Sequence, residues 1–256
     1  MRITPQIRSN EKRKRLQALR IDRTYAPRLS KARQNEIERV LKLAENYPID
    51  EWATILPKKI NEKYLNKWYS DMFLGVGLPA GREAVNEFMG RKADIWEADI
   101  WEDTLSKWIS KNAAKKVKII TNSFKDWFRG AIKEAIKDQT ESIETMTKLL
   151  YDNVTNYYQE IQEWQIRRIV QTESLTALSV ASDESVRALG IPFNKTWVIS
   201  GNNTRPAHLA MDGVTIPEDE AFNVDGEQMM FPRDDSMGAS AGNIINCACT
   251  CINTPK

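Results

Sequence analysis

The sequence predicts an α+β fold: a largely α-helical N-terminal region followed by a small C-terminal α+β module with a short antiparallel sheet. Three observations predict it. Apolar residues recur at three- and four-residue spacing through most of the first 190 positions. The pattern stops at Gly190 and Pro192. Beyond them stand a strand-like run around Trp197 and Val198 and a hairpin signal, Asp225-Gly226, between apolar runs. At 256 residues the chain can bury a sizeable core in one or two domains.

Taken in order, residues 1–33 read as a basic N-terminal arm. They carry eleven Lys and Arg against two acids, Glu11 and Asp22. Lys12, Arg13, Lys14, Arg15, Arg20 and Arg23 are its candidate contacts to nucleic acid or to an acidic partner surface, and a flexible, solvated terminus is the plain alternative. Residues 201–256 have the opposite sign, with three basic side chains against eight acids. The start has no apolar stretch after its basic residues, so no secretory signal is expected. There is no run of eighteen apolar residues, so no membrane-spanning helix is expected either.

Residues 34–163 read as a helical region. In 31–47, Ile37, Val40, Leu41, Ala44 and Tyr47 share a helix face, and Pro48 ends it. Residues 50–80 read as short helices ending in a loop or hinge, "LGVGLPAG", because Gly75, Gly77, Pro79 and Gly81 fall together. The duplication "ADIWEADIWE" follows at 93–102. On a helix its Trp96 and Trp101 stand roughly 140° apart, outside one narrow stripe. Val117, Ile120, Phe124, Phe128, Ile132, Ala135 and Ile136 mark a helix through 103–138. Ile143, Thr147, Leu150, Val154, Tyr157 and Ile161 form a heptad-like seam, suited to a helical hairpin or bundle. A further helix is expected through "TESLTALSVASDESVRAL".

Residues 164–256 form the C-terminal module. "NKTWVIS" reads as a strand, and Gly201, Asn202 and Asn203 as a turn. "TRPAHLAMDG" reads as a short helix with Thr204 as N-cap, Pro206 in its first turn and Gly213 after its end. "AFNVDGEQMMF" is a hairpin, "PRDDSMGASAG" a loop and "NIINCACTCI" a last strand.

The chain's three cysteines, Cys247, Cys249 and Cys251, and its one histidine, His208, all lie in this module. His208 and Asp212 share a helix face, and Cys247 and Cys249 share a strand face, so a tetrahedral zinc site of His208, Cys247, Cys249 and Asp212 can be drawn. Cys251 is the alternate ligand. On a regular strand it lies about 13 Å from Cys247, so it joins the others only if the backbone turns at Thr250. Buried thiols packed beside a locally bonded histidine, and a disulfide, are the other two arrangements open to these residues. An odd cysteine count without a secretory signal points to a reducing cytosol. With one histidine there is no HExxH motif, and no phosphate loop, GxGxxG or deaminase pattern occurs. No catalytic residue is expected, and the chain is expected not to be an enzyme.

In order, "RRIVQTESLTAL", "KTWVISGNNTRPAHLAMDGVTI", "AFNVDGEQMMFPRDD" and "NIINCACT" resemble the phage Mu F-like head morphogenesis family over about residues 164–252. The matching positions are Thr172, Glu173, Trp197, Arg205, His208, Asp212, Gly213, Phe222, Pro232, Asn246, Cys247 and Cys249. Gln171 and Ala248 stand where the family tends to have arginine, and Cys251 is extra. The resemblance implies a minor head (minor capsid) structural protein of a tailed bacteriophage. It would associate with the portal protein or the major capsid protein, inside the virion and in the host cytoplasm during assembly. Its role would be in head morphogenesis, DNA packaging or ejection, and not at a membrane. The alternatives are a DNA-binding adaptor working through the basic arm, and a prophage-associated enzyme or toxin module.

Overall fold

The structure is a computed structural model that describes residues 3–20, 22–90, 95–137, 142–201 and 204–256. Its helices are α1 (Pro5–Arg20), α2 (Asp22–Leu41), α3 (Trp52–Ile55), α4 (Lys63–Met89), α5 (Ile95–Ala135), α6 (Ile143–Arg187), α7 (Pro206–Leu209) and α8 (Ala241–Ile244). The strands β1 (Phe193–Val198), β2 (Thr215–Pro217), β3 (Phe222–Val224), β4 (Glu227–Met229) and β5 (Thr250–Pro255) all follow Pro192. The α+β fold is therefore as the hydrophobic periodicity predicts. No helix of the described residues is long and apolar enough to cross a membrane.

The chain forms two compact units that are not contiguous in sequence. One contains Met1–Thr24, Asp71–Ile109 and Arg168–Lys256. The other contains Tyr25–Ser70 and Ser110–Arg167. The C-terminal residues thus share a unit with residues drawn from the expected basic arm and helical region.

In the second unit Leu29, Ile37, Val40, Trp52, Leu56, Val117, Phe124, Phe128 and Ile132 are all buried. Burying each large apolar side chain stabilises by roughly 1.5–3 kcal/mol. The two buried indoles keep their hydrogen bonds, Trp52 Nε1 donating to Tyr47 O at 3.0 Å and Trp68 Nε1 to Tyr25 O at 2.9 Å. The helix expected over 31–47 begins earlier, at Asp22, and runs through Pro27 to Leu41.

The expected hinge at "LGVGLPAG" is instead the middle of α4, which runs unbroken through Pro79. Two of its glycines, Gly77 and Gly81, serve close helix approach. A Cβ on Gly77 would stand 3.1 Å from Leu105 Cδ1 and 3.4 Å from Ala181 Cβ. One on Gly81 would stand 2.3 Å from Ser185 Oγ. The seam after residue 143 and the helix after 172 likewise merge into the 45-residue α6. It ends at Arg187, and the turn after it closes at Gly190, whose φ of +67° suits a residue without a Cβ. Leu150 of the seam is buried and Thr147 half-buried. The side chains of Ile143, Val154, Tyr157 and Ile161 lie outside the described residues, as do Ala93, Asp94, the Trp96 side chain, and Asn202 and Asn203 of the expected turn. Trp101 is core, packed with Ala84, Val85, Phe88, Val186 and Phe193.

The three-stranded antiparallel sheet has the order β2-β1-β5. The central strand β1 is buried almost throughout, Lys195 and Thr196 included. Lys195 Nζ donates to Met230 O at 2.8 Å, and Thr196 and Thr215 join hydroxyls at 2.8 Å, so neither polar group is orphaned. β3 and β4 are the hairpin that Asp225-Gly226 signals, with φ of +53° and +84° at the two turn residues.

Candidate metal centre

The strand expected over 243–252 begins only at Thr250. Before it, α8 ends at Ile244, and Asn246 adopts a left-handed φ of +59°. That bend sends the next three residues back into the core. Cys247 and Cys249 are buried there with Trp197, Met211, Phe222, Val224 and Met229.

His208 reaches the same place from α7. Pro206 opens this short helix, but its N-cap position is Arg205, while Thr204 Oγ1 donates to Gly201 O instead. The imidazole stands edge-on to Trp197, ring centroids 5.6 Å apart. Its Nδ1 lies 3.4 Å from Cys247 Sγ and 3.6 Å from Cys249 Sγ. All three ligand atoms fall within 4.8 Å of one another, and all three residues are at most 3 % exposed.

These distances fit an ion. Zn–N and Zn–S bonds of about 2.05 and 2.3 Å at the tetrahedral angle place nitrogen and sulfur about 3.6 Å apart. The soft donor set suits zinc. Three ligands leave one tetrahedral position for a further donor.

The histidine's tautomer follows from its far side. The Glu227 carboxylate can only accept, so the Asn243 Nδ2 that donates to it at 2.7 Å fixes the amide's orientation. Asn243 Oδ1 then faces His208 Nε2 at 3.1 Å and must accept from it. Nε2 carries the proton, and the Nδ1 lone pair points at the two sulfurs. Partners of this kind hold a metal-binding imidazole in place. Donation from Asn243, and then from the Ser240 amide, holds the Glu227 carboxyl below its ordinary range.

The two thiols divide one proton unequally. Donation from Cys249 pulls Cys247 well below its ordinary value, helped by Arg233 against the cost of burial. Cys249 is pushed far up, because its proton is held in the hydrogen bond to Cys247, burial disfavours its ionised form, and ionising it would place a second negative charge beside Cys247. Cys251 lies on β5 opposite Trp197, half-buried and outside the cluster, with burial pushing its thiol up. Asp212, drawn as the fourth ligand, lies elsewhere. Its Oδ2 accepts from Arg8 at 2.6 Å and its Oδ1 from the Ile199 amide at 3.2 Å. A carboxylate satisfied by a guanidinium and a backbone amide is held where it is.

Arg233 is the residue that sequence reasoning missed. It is fully buried, with a left-handed φ of +73° that costs roughly 1–2 kcal/mol in a residue bearing a Cβ. Its Nη1 donates to Cys247 O at 2.8 Å and Cys249 O at 2.7 Å, and its Nη2 to Leu175 O at 2.7 Å and Ser179 Oγ at 2.5 Å. Four charge-assisted bonds outweigh the backbone cost. Nothing in "PRDDS" marks this arginine as internal.

The basic N-terminal residues fold into α1 and the start of α2, and they divide. Lys14 is buried, paired with Glu11 at 2.8 Å and with Glu87. These two carboxylates raise its pKa against the cost of burial. Arg15 is buried against backbone carbonyls, and burial lowers its pKa. Neither side chain is presented to a partner. Arg13 is exposed while paired with Glu83, and Lys12, Arg20 and Arg23 are exposed.

No protein-family model matches the chain, and no solved structure does. The uncharacterized protein YqbB of Bacillus subtilis (strain 168) is 40% identical over 83 residues, 30% of this chain and 27% of that protein. The NAD(+)–arginine ADP-ribosyltransferase EFV of Enterococcus faecalis (strain ATCC 700802 / V583) is 32% identical over 109 residues, 37% of this chain and 22% of that protein. The chain therefore matches about a quarter of the length of these relatives. The second match corrects the expectation that the chain is not an enzyme. The missing motifs excluded only the chemistries those motifs encode, and a relative named as a transferase points toward enzyme activity.

Proposed function

We propose that the chain is a minor head protein of a tailed bacteriophage, and that a zinc ion on His208, Cys247 and Cys249 clasps its C-terminal module. One observation carries this reading: residues that resemble the head morphogenesis family, scattered between Thr172 and Cys249, converge on one place. Trp197, Phe222, Cys247 and Cys249 share a core, and His208 packs on Trp197. Arg205 donates to Ile245 O, and Asn246 N donates to Thr172 Oγ1 at 3.4 Å. Separate motifs that meet in one clasp behave as one module. The portal protein and the major capsid protein are its proposed partners. Packaged DNA is a further one, met by the exposed Lys12, Arg13, Arg20 and Arg23.

The test is quantitative mass spectrometry of nuclease-treated, DNA-filled particles and of procapsids. A fixed ratio to portal in filled particles supports a virion component, and presence in procapsids alone supports an assembly factor. Absence from both overturns the reading. Metal analysis of protein purified without chelator tests the clasp separately.

A second reading rests on the Enterococcus relative's name: ADP-ribosyl transfer from NAD+ to arginine, by this chain or by a longer protein containing it. Incubation with labelled NAD+ and a free guanidino acceptor tests it. Labelled product supports the transfer, and none from the full-length protein refutes it.

A further inference from the structure

Three successive carbonyls of the metal-binding loop each accept from an arginine. Arg233 Nη1 holds those of Cys247 and Cys249 at 2.8 and 2.7 Å. Arg15 Nη1 holds the carbonyl between them, Ala248 O, at 3.4 Å. Guanidinia from two separate parts of the chain thus hold three successive peptide groups of the loop. Peptide planes held in this way resist rotation, which keeps both cysteine side chains directed at His208.

Arg15 does not belong to the metal-binding module in sequence. It lies on α1, more than two hundred residues away, and it also donates to Ile199 O at 3.2 Å, one residue past β1. One helical face of α1 carries a second link. Arg8 pairs with Asp212 at 2.6 Å, and Asp212 stands four residues after His208 and accepts the Ile199 amide. The helix therefore touches both segments that supply ligands, the cysteine loop through Arg15 and the histidine segment through Arg8.

We infer that α1 is a positioning element of the metal centre: Arg15 and Arg8 hold the ligand-bearing segments in their binding geometry, so ion binding and the docking of α1 strengthen each other. The inference rests on the zinc reading of the same site. Coupling of this kind is reciprocal: the factor by which docked α1 tightens the ion is the factor by which the ion tightens α1. Neither arginine touches the ion, and their role is exerted through the backbone carbonyls and Asp212.

The test is competitive zinc titration of the full-length chain against a chromophoric chelator. It compares the wild type with Arg15→Ala, Arg15→Lys, Arg8→Ala and Gln17→Ala, an exposed position on the same helix. Arg15→Ala is expected to weaken zinc by about 10–100-fold, the usual cost of losing an outer-shell partner. Arg15→Lys should recover part of that loss, Arg8→Ala should weaken zinc by a smaller factor, and Gln17→Ala should leave it unchanged. With cobalt in place of zinc, Arg15→Ala should shift the thiolate-to-metal charge-transfer band. A purely architectural arginine would instead destabilise the metal-free and loaded proteins equally, with affinity and spectrum unmoved. Hydrogen exchange on the wild type supplies a readout that needs no variant to fold: removing zinc should speed exchange in Pro5–Arg20. If the wild type binds no ion, the zinc reading fails and takes the coupling with it. If it binds the ion while Arg15→Ala matches its affinity and spectrum, or α1 exchange ignores the metal, the coupling alone is overturned.

Discussion

Asn243 decides which nitrogen of His208 is free. Its amide sits between a carboxylate that only accepts and an imidazole left only to donate, so the metal-facing lone pair is set from two residues away. Asn243→Ala is expected to lower zinc affinity about 10–100-fold with the three ligands intact, as read by chelator competition. Cys249→Ser should abolish tight binding outright, because a hydroxyl replaces a thiolate. Unchanged affinity in Asn243→Ala would remove Asn243 from the site's support, and unchanged affinity in Cys249→Ser would remove Cys249 from the ligands. Glu227 gives the same network a pH dependence. Its carboxyl is held below 4.5 by Asn243 and Ser240, so its contribution to stability is present above pH 4.5 and is lost as pH falls through its lowered folded value. Urea melts of metal-free protein should therefore show a steeper decline below pH 4.5 in the wild type than in Glu227→Gln. Equal slopes would remove Glu227 from the acid response.

On the scale of elements, α4 and α6 pack where glycine allows it. A methyl on Gly81 meets Ser185 Oγ at 2.3 Å and Ser185 Cβ at 3.2 Å, so turning the hydroxyl away does not clear the space. Alanine gains about 1 kcal/mol of helix propensity over glycine, and overpacking costs about 1–3 kcal/mol. The packing cost wins, and Gly81→Ala should be destabilising in denaturant melts. Ser185→Ala should recover part of the loss in the double variant. A stabilised Gly81→Ala would mean that these helices are held apart in solution. The same glycines explain why "LGVGLPAG" reads as a hinge. Glycine marks either a turn or a close neighbour, and the neighbours here are Leu105, Ala181 and Ser185, up to about a hundred residues away. The helix faces of α2 and α5 were legible because each apolar stripe reports its own burial. Asp225-Gly226 was legible because its turn conformation is chosen locally.

Over the whole molecule, the zinc reading makes stability depend on free metal. An ion at a hundred times its dissociation constant adds about 2.7 kcal/mol to a protein that binds it only when folded. Stripping the metal with a chelator should lower the melting temperature, and restoring zinc should recover it. Cys247→Ser should melt at one temperature with or without zinc, and a wild type indifferent to chelation would count against the clasp. The amino-acid sequence by itself determined the α+β class, the helical stretches, the hairpin and the chemical identity of the cluster, since its histidine and two of its cysteines fall in one short module. Each of these follows from local periodicity, local turn preference or residue type. Only the tertiary structure decided that Asp212 pairs with Arg8, that Cys251 stays outside, and that Arg233, Arg15 and Asn243 surround the site. A long polar side chain reaching across scores or hundreds of residues has no period and no local preference. Its partner is fixed by which buried carbonyl or amide would otherwise go unsatisfied, and that is known only once the chain has folded.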